Sequence, residues 1–151
     1  MTAAAIESLF DALSQKRDCC RALVSLAKRQ RVQISAGDLG PVLEVLATKQ
    51  RVMGRMDEIQ RRLTCFSQGP QSWREGIDRQ QQRRCQSVLD ETERLLADLL
   101  EIEKHCEEEL VRFREAAAEQ LRNTDAGRQL NRAYLDETAA PTNRFVDLEA
   151  D

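Results

Sequence analysis

The sequence predicts an all-α protein: an antiparallel, coiled-coil-like bundle of three long helices followed by a flexible C-terminal tail. Three observations carry that expectation. Charged residues make up 32% of the 151-residue chain and aromatics only 4%, with six glycines and three prolines. Strands draw on β-branched and aromatic side chains, so this balance favours long charged helices. Apolar residues recur with heptad spacing in three separate stretches, and each stretch ends in helix punctuation. A core so poor in large aromatics is a thin seam of Leu, Ile, Val, Met and Ala, which a bundle fills and a thick globule does not.

The first helix is expected over about residues 4–35, where Ile6, Leu13, Cys20, Ala27 and Ile34 recur every seven residues. Gly37 suits the left-handed C-cap that ends such a helix. Asp38 and Pro41 follow as N-terminal signals of the next one. The two helices are therefore expected as a short antiparallel hairpin.

The second helix is expected over about residues 39–66. Val42, Met56 and Leu63 share one heptad position, with Lys49 as its exception. Val45, Val52, Ile59 and Phe66 share another, and Leu39, Leu46 and Met53 widen the stripe. Gly69 and Pro70 stop this helix, and Ser72 with Glu75 forms a capping-box pattern for the third.

The third helix is expected over about residues 73–123. Val88, Leu95 and Ile102 form one track, Leu89, Leu96 and Leu110 a second, and Cys85, Leu99, Cys106 and Phe113 a third. At 1.5 Å per residue it reaches roughly 75 Å, against about 40–50 Å for the other two. It therefore overhangs them or breaks, and the weakest point is the polar stretch from Asp78 to Arg84. Residues 1–123 are thus read as the bundle. Residues 124–151, punctured by Thr124, Gly127, Pro141 and Thr142, are read as a tail. Leu130, Tyr134, Leu135, Phe145, Val146 and Leu148 are scattered through it as apolar anchors suited to folding on contact.

Charge and cysteine usage exclude several functions. The formal net charge is −3, which argues against nucleic acid as a ligand, because phosphate binding needs a basic surface. A local basic run of Lys49, Arg51, Arg55, Arg61 and Arg62 reads as a solvated helix face. Glu7 and Asp11 interrupt the apolar N-terminus, no basic residue precedes it, and no apolar run approaches the ~20 residues of a membrane span. Five irregularly spaced cysteines do not resemble a secreted disulfide framework; reduced thiols in a cytoplasmic protein are expected.

Catalytic patterns are equally thin. His105 is the single histidine, and Cys106 beside it points about 100° away on a helix. Glu101 and His105 are four apart, not the Glu-x-x-His of di-iron bundles, and no two cysteines have zinc-site spacing. No glycine-rich phosphate loop is present. The expectation is a protein-binding module, without catalytic residues, metal or cofactor.

Several residues together resemble the FlgN-type flagellar export chaperones. They are Gln30, the run Ile34, Ser35, Ala36, Gly37 and Asp38, and then Leu46, Lys49 and Gln50 before a long third helix. Gly127, Leu130 and Tyr134 follow, and Arg144, Phe145, Val146 and Asp147 look like that family's closing segment. The resemblance implies a cytoplasmic chaperone. Such a protein binds the C-terminal helical segments of hook–filament junction proteins, of the FlgK and FlgL type, and delivers them to the flagellar type III export apparatus. By the same resemblance the client site involves the end of helix three and the following segment, with Phe113, Leu121, Leu130, Tyr134 and Leu135 as its contacts. The alternative is a coiled-coil scaffold or adaptor without an export client, and an incomplete seam closed by a second copy would make it a homo-oligomer.

Overall fold

A computed structural model describes residues 2–67 and 73–149, with side chains described through residue 137. The fold is all-α, and among the described residues four helices stand where three were expected: α1 (Ala3–Ser35), α2 (Leu39–Ser67), α3 (Arg79–Asn123) and α4 (Asp125–Glu149). Among the described residues no helix is long and apolar enough to cross a membrane. The chain divides into two units, Met1–Glu109 and Leu110–Asp151, and the division falls inside α3 rather than after its last residue.

In the N-terminal unit each helix end has a local cause. The Thr2 hydroxyl accepts the Ala5 N–H at 3.2 Å and starts α1. At its other end Gly37 adopts φ 74°. This lets the Gly37 N–H reach the Ile34 carbonyl at 2.9 Å and the Asp38 N–H reach the Gln33 carbonyl at 3.0 Å. That pair of bonds is a Schellman motif, and it turns the chain directly into α2.

Helix α3 opens at Arg79, six residues later than expected. The residues from Trp73 to Ile77 form turns instead, with the Gly76 N–H on the Trp73 carbonyl at 3.2 Å. The cap is Asp78, whose carboxylate accepts the Gln81 N–H at 2.8 Å. The polar stretch from Asp78 to Arg84 is therefore the cap and opening turns of α3, not a break within it. The Gly69–Pro70 stop and the Ser72 cap lie outside the described residues.

Among the described residues of this unit, apolar side chains gather in two clusters. Leu9, Leu13 and Cys19 of α1 meet Ile59 and Leu63 of α2, Ile77, and Cys85 and Val88 of α3. Further along, Val24, Ala27 and Ile34 meet Val42 of α2 and Ile102 and Cys106 of α3. The early residues of α1 thus pack on the late residues of α2 and the early part of α3, so α1 runs antiparallel to α2 and alongside α3. Polar contacts keep the same register: Lys16 to Gln60 at 2.9 Å, Arg62 to Asp11 at 3.7 Å, Arg84 to Glu7 at 2.9 Å and Arg21 to Glu91. Exposed pairs of this kind each contribute only about 0–1 kcal/mol, whereas a buried Leu or Ile contributes about 1.5–3 kcal/mol.

Lys49 breaks the heptad pattern for a physical reason. It is only 7% exposed, and its ammonium donates to Gln30 Oε1 of α1 at 2.9 Å and to Glu103 of α3. A buried charge must be paired, and here one residue from each of three helices supplies the pairing. Lys49 thus leaves the solvated basic face expected of residues 49–62, while Arg51, Arg55, Arg61 and Arg62 are exposed.

In the C-terminal unit, residues 125–149 were expected as flexible tail and form α4 instead. Thr124, read as a helix stop, is the hinge between helices. Its hydroxyl accepts the Gly127 N–H at 3.1 Å, an N-cap for α4, and donates to the Leu121 carbonyl at 2.9 Å. Asp125 follows in the first turn, where the helix dipole favours an acid. A Cβ at Gly127 would collide with the carbonyl oxygen of Leu121, so this junction requires glycine.

Candidate partner-binding surface

The five expected contact residues all fall in the C-terminal unit, and all are exposed, from 38% for Phe113 to 70% for Leu130. Leu121 lies in the last turn of α3, and Leu130 and Tyr134, one turn apart, sit on α4. The Thr124–Gly127 turn brings these together. Leu121, Leu130 and Tyr134 line one shallow groove of about 260 Å³ with Arg122, Gly127 and Asn131. Phe113 and Leu135 are not in that lining. The groove has an apolar surface with a basic and an amide group beside it. That composition suits the apolar face of an amphipathic helix.

No side chain among the described residues of this unit is buried. Its apolar groups therefore make no core of their own. Phe145, Val146 and Leu148, expected as further anchors, have side chains outside the described residues.

Two further sets of residues contribute exposed surface. Leu39, Leu46 and Met53, expected to widen the seam, are exposed, and so is Leu43. At 100° per residue the four span roughly an 80° sector of α2. The second set is a group of arginines beside Trp73: Arg74 in the preceding turn, and Arg79 and Arg83 from the polar stretch that opens α3.

Reactive side chains are dispersed. His105 is exposed and its neighbour Cys106 is buried. Cys19, Cys20 and Cys85 are buried as well, whereas Cys65 is exposed, and all five are free thiols. Burial pushes the thiols of Cys19, Cys20, Cys85 and Cys106 above the ordinary cysteine value, which holds them protonated and unreactive. Among the described residues no group of three or more His, Cys, Asp or Glu side chains could hold a metal ion. No protein-family model, curated protein or solved structure matches this chain.

Proposed function

We propose that this chain is a cytoplasmic, non-enzymatic export chaperone of the FlgN type, which holds the C-terminal helical segments of hook–filament junction proteins soluble before type III secretion. In this reading α1, α2 and the first part of α3 are an antiparallel three-helix scaffold, and the C-terminal unit receives the client. The observation that carries it is the groove of Leu121, Leu130 and Tyr134, an apolar surface held open by the Thr124–Gly127 turn. An amphipathic client helix would otherwise self-associate through its apolar face, and covering that face keeps it in solution. Phe113 and Leu135 extend the exposed apolar area on the same unit.

Co-purification of the full chain with a junction-protein C-terminal segment tests the reading. Leu121→Glu with Leu130→Glu is expected to abolish capture, because two carboxylates would have to be desolvated against the client. Tight binding that survives removal of the residues after Asn123 would show the site assignment to be wrong.

A scaffold or adaptor without an export client is a second reading, favoured by the exposed row Leu39, Leu43, Leu46 and Met53 on α2. Light scattering separates the two. A concentration-dependent oligomer lost in Leu43→Glu favours the scaffold, and a monomer that captures client favours the chaperone.

A further inference from the structure

A hollow of about 460 Å³ opens at the turn that leads into α3, and its described lining is Trp73, Arg74, Arg79, Gln82, Arg83 and Gln86. Its walls are fixed from below. Ile77 is buried in the apolar cluster, Asp78 caps α3, and the Gln82 amide donates to the carbonyls of Arg74 and Ile77. Arg79 and Arg83 are one helical turn apart, as are Gln82 and Gln86, so one side of α3 presents two guanidiniums and two amides. Arg74 closes the hollow, its guanidinium 5.3 Å from the centre of the half-buried Trp73 ring.

The neighbouring charges sharpen the contrast. Arg84 is committed elsewhere, paired with Glu7 at 2.9 Å and lying over the Phe10 ring at 3.5 Å. Arg74, Arg79 and Arg83 are exposed, and among the described residues none of them forms an ion pair. The nearby acids are Glu75, Asp78, which is occupied as the α3 cap, and Asp90, which accepts the Gln86 amide at 2.9 Å. Three guanidiniums around one hollow repel one another, and a bound anion removes that repulsion.

We propose that this hollow docks an acidic peptide segment of a partner protein, with its carboxylates on Arg74, Arg79 and Arg83 and an apolar side chain against Trp73. Guanidinium forks match carboxylates bidentately, the second N–H of the Gln86 amide supplies a further donor, and the indole gives an apolar wall. A nucleic-acid strand fits less well, because a chain of net charge −3 repels a long polyanion more than a short acidic segment. The site belongs to the N-terminal unit and is independent of the chaperone reading.

Trp73 is the only tryptophan, so its emission reports directly on occupancy of the hollow. The full chain is titrated with a glutamate-rich decapeptide carrying a central leucine, at low ionic strength. A saturable change in emission is expected, weakened by salt and absent with the same peptide carrying Gln for Glu. Arg79→Glu with Arg83→Glu, both on exposed positions, is expected to weaken binding by roughly a hundredfold while circular dichroism stays unchanged. An emission unresponsive to the acidic peptide overturns the proposal, as does an equal response in the charge-reversed variant. An equal or stronger saturable response to a single-stranded oligonucleotide or to inorganic phosphate also overturns it.

Discussion

The two units of this chain use the same helical building material to opposite ends. From Met1 to Glu109 most heptad positions are buried or half-buried, and the buried polar residues Gln30, Lys49 and Thr92 are hydrogen-bonded. From Leu110 onward the helices keep apolar residues, yet no described side chain is buried. Helix formation needs only local hydrogen bonds and caps, whereas burial needs a facing surface. Apolar periodicity in one chain can therefore encode a core in one stretch and leave an exposed apolar face in another.

The largest expected effect sets the two units against each other directly. Leu9→Ala, which removes a side chain 1% exposed, is expected to lower unfolding stability by about 2–5 kcal/mol. Leu130→Ala, at 70% exposure, is expected to stay within about 0.5 kcal/mol of the parent and to act on client capture instead. Urea denaturation of both variants checks this; a comparable loss in each would mean that the C-terminal unit has a core after all.

The next effect concerns the paired lysine. Glu103→Ala removes a partner of Lys49, and because Glu103 is partly exposed the expected loss is about 1–3 kcal/mol, below that for a fully buried pair. Lys49→Met is expected to change stability by less than about 1.5 kcal/mol, since it deletes the charge together with its need for partners. Thermal unfolding of the two single variants decides. If Lys49→Met were the more damaging, the cluster would be a net source of stability instead of a cost already met by the fold.

A smaller effect follows from the buried thiols. Their folded values lie above the ordinary cysteine value because burial disfavours the thiolate. The unfolded chain therefore releases protons first as pH rises, and the stability these groups hold is complete below about pH 8.5 and declines above it. Melting temperatures measured from pH 7 to 10 should fall at the alkaline end. In the same buffer a thiol reagent should label Cys65 quickly and the other four cysteines only on unfolding.

The smallest expected change in global stability accompanies Gly127→Ala. The added Cβ collides with the Leu121 carbonyl, so the Thr124 turn must open and the groove of Leu121, Leu130 and Tyr134 must change shape. Client affinity should fall while the denaturation midpoint of the N-terminal unit holds. Unchanged affinity would remove the turn from the binding argument.

Much of this was legible in the chain itself. The seven-residue recurrence of Leu13, Cys20, Ala27 and Ile34 lies on buried positions, and Gly37 adopts the positive φ its place implied. What escaped was context. Leu39, Leu46 and Met53 have the same spacing as buried residues but flank the buried stripe of α2 on its open side. Spacing does not say how wide a strip the neighbours cover. Thr124 and Gly127 were read as breakers because both disfavour helix interiors, yet one caps a new helix and the other admits a close carbonyl. Of the candidate contacts all five are exposed, but only the turn decides which three share one lining.

The sequence alone determined the all-α class, the hairpin at Gly37 and the buried track of Leu13, Cys20, Ala27 and Ile34 on α1, because capping and heptad spacing are local and survive without knowledge of the partner surface. Only the tertiary structure decided that Lys49 belongs inside, because its acceptors Gln30 and Glu103 come from helices distant in the chain. It likewise decided that Arg84 pairs across to α1 while Arg74, Arg79 and Arg83 converge on a hollow beside Trp73. Which face of a helix is covered depends on what folds back against it, and that is settled only when distant segments meet.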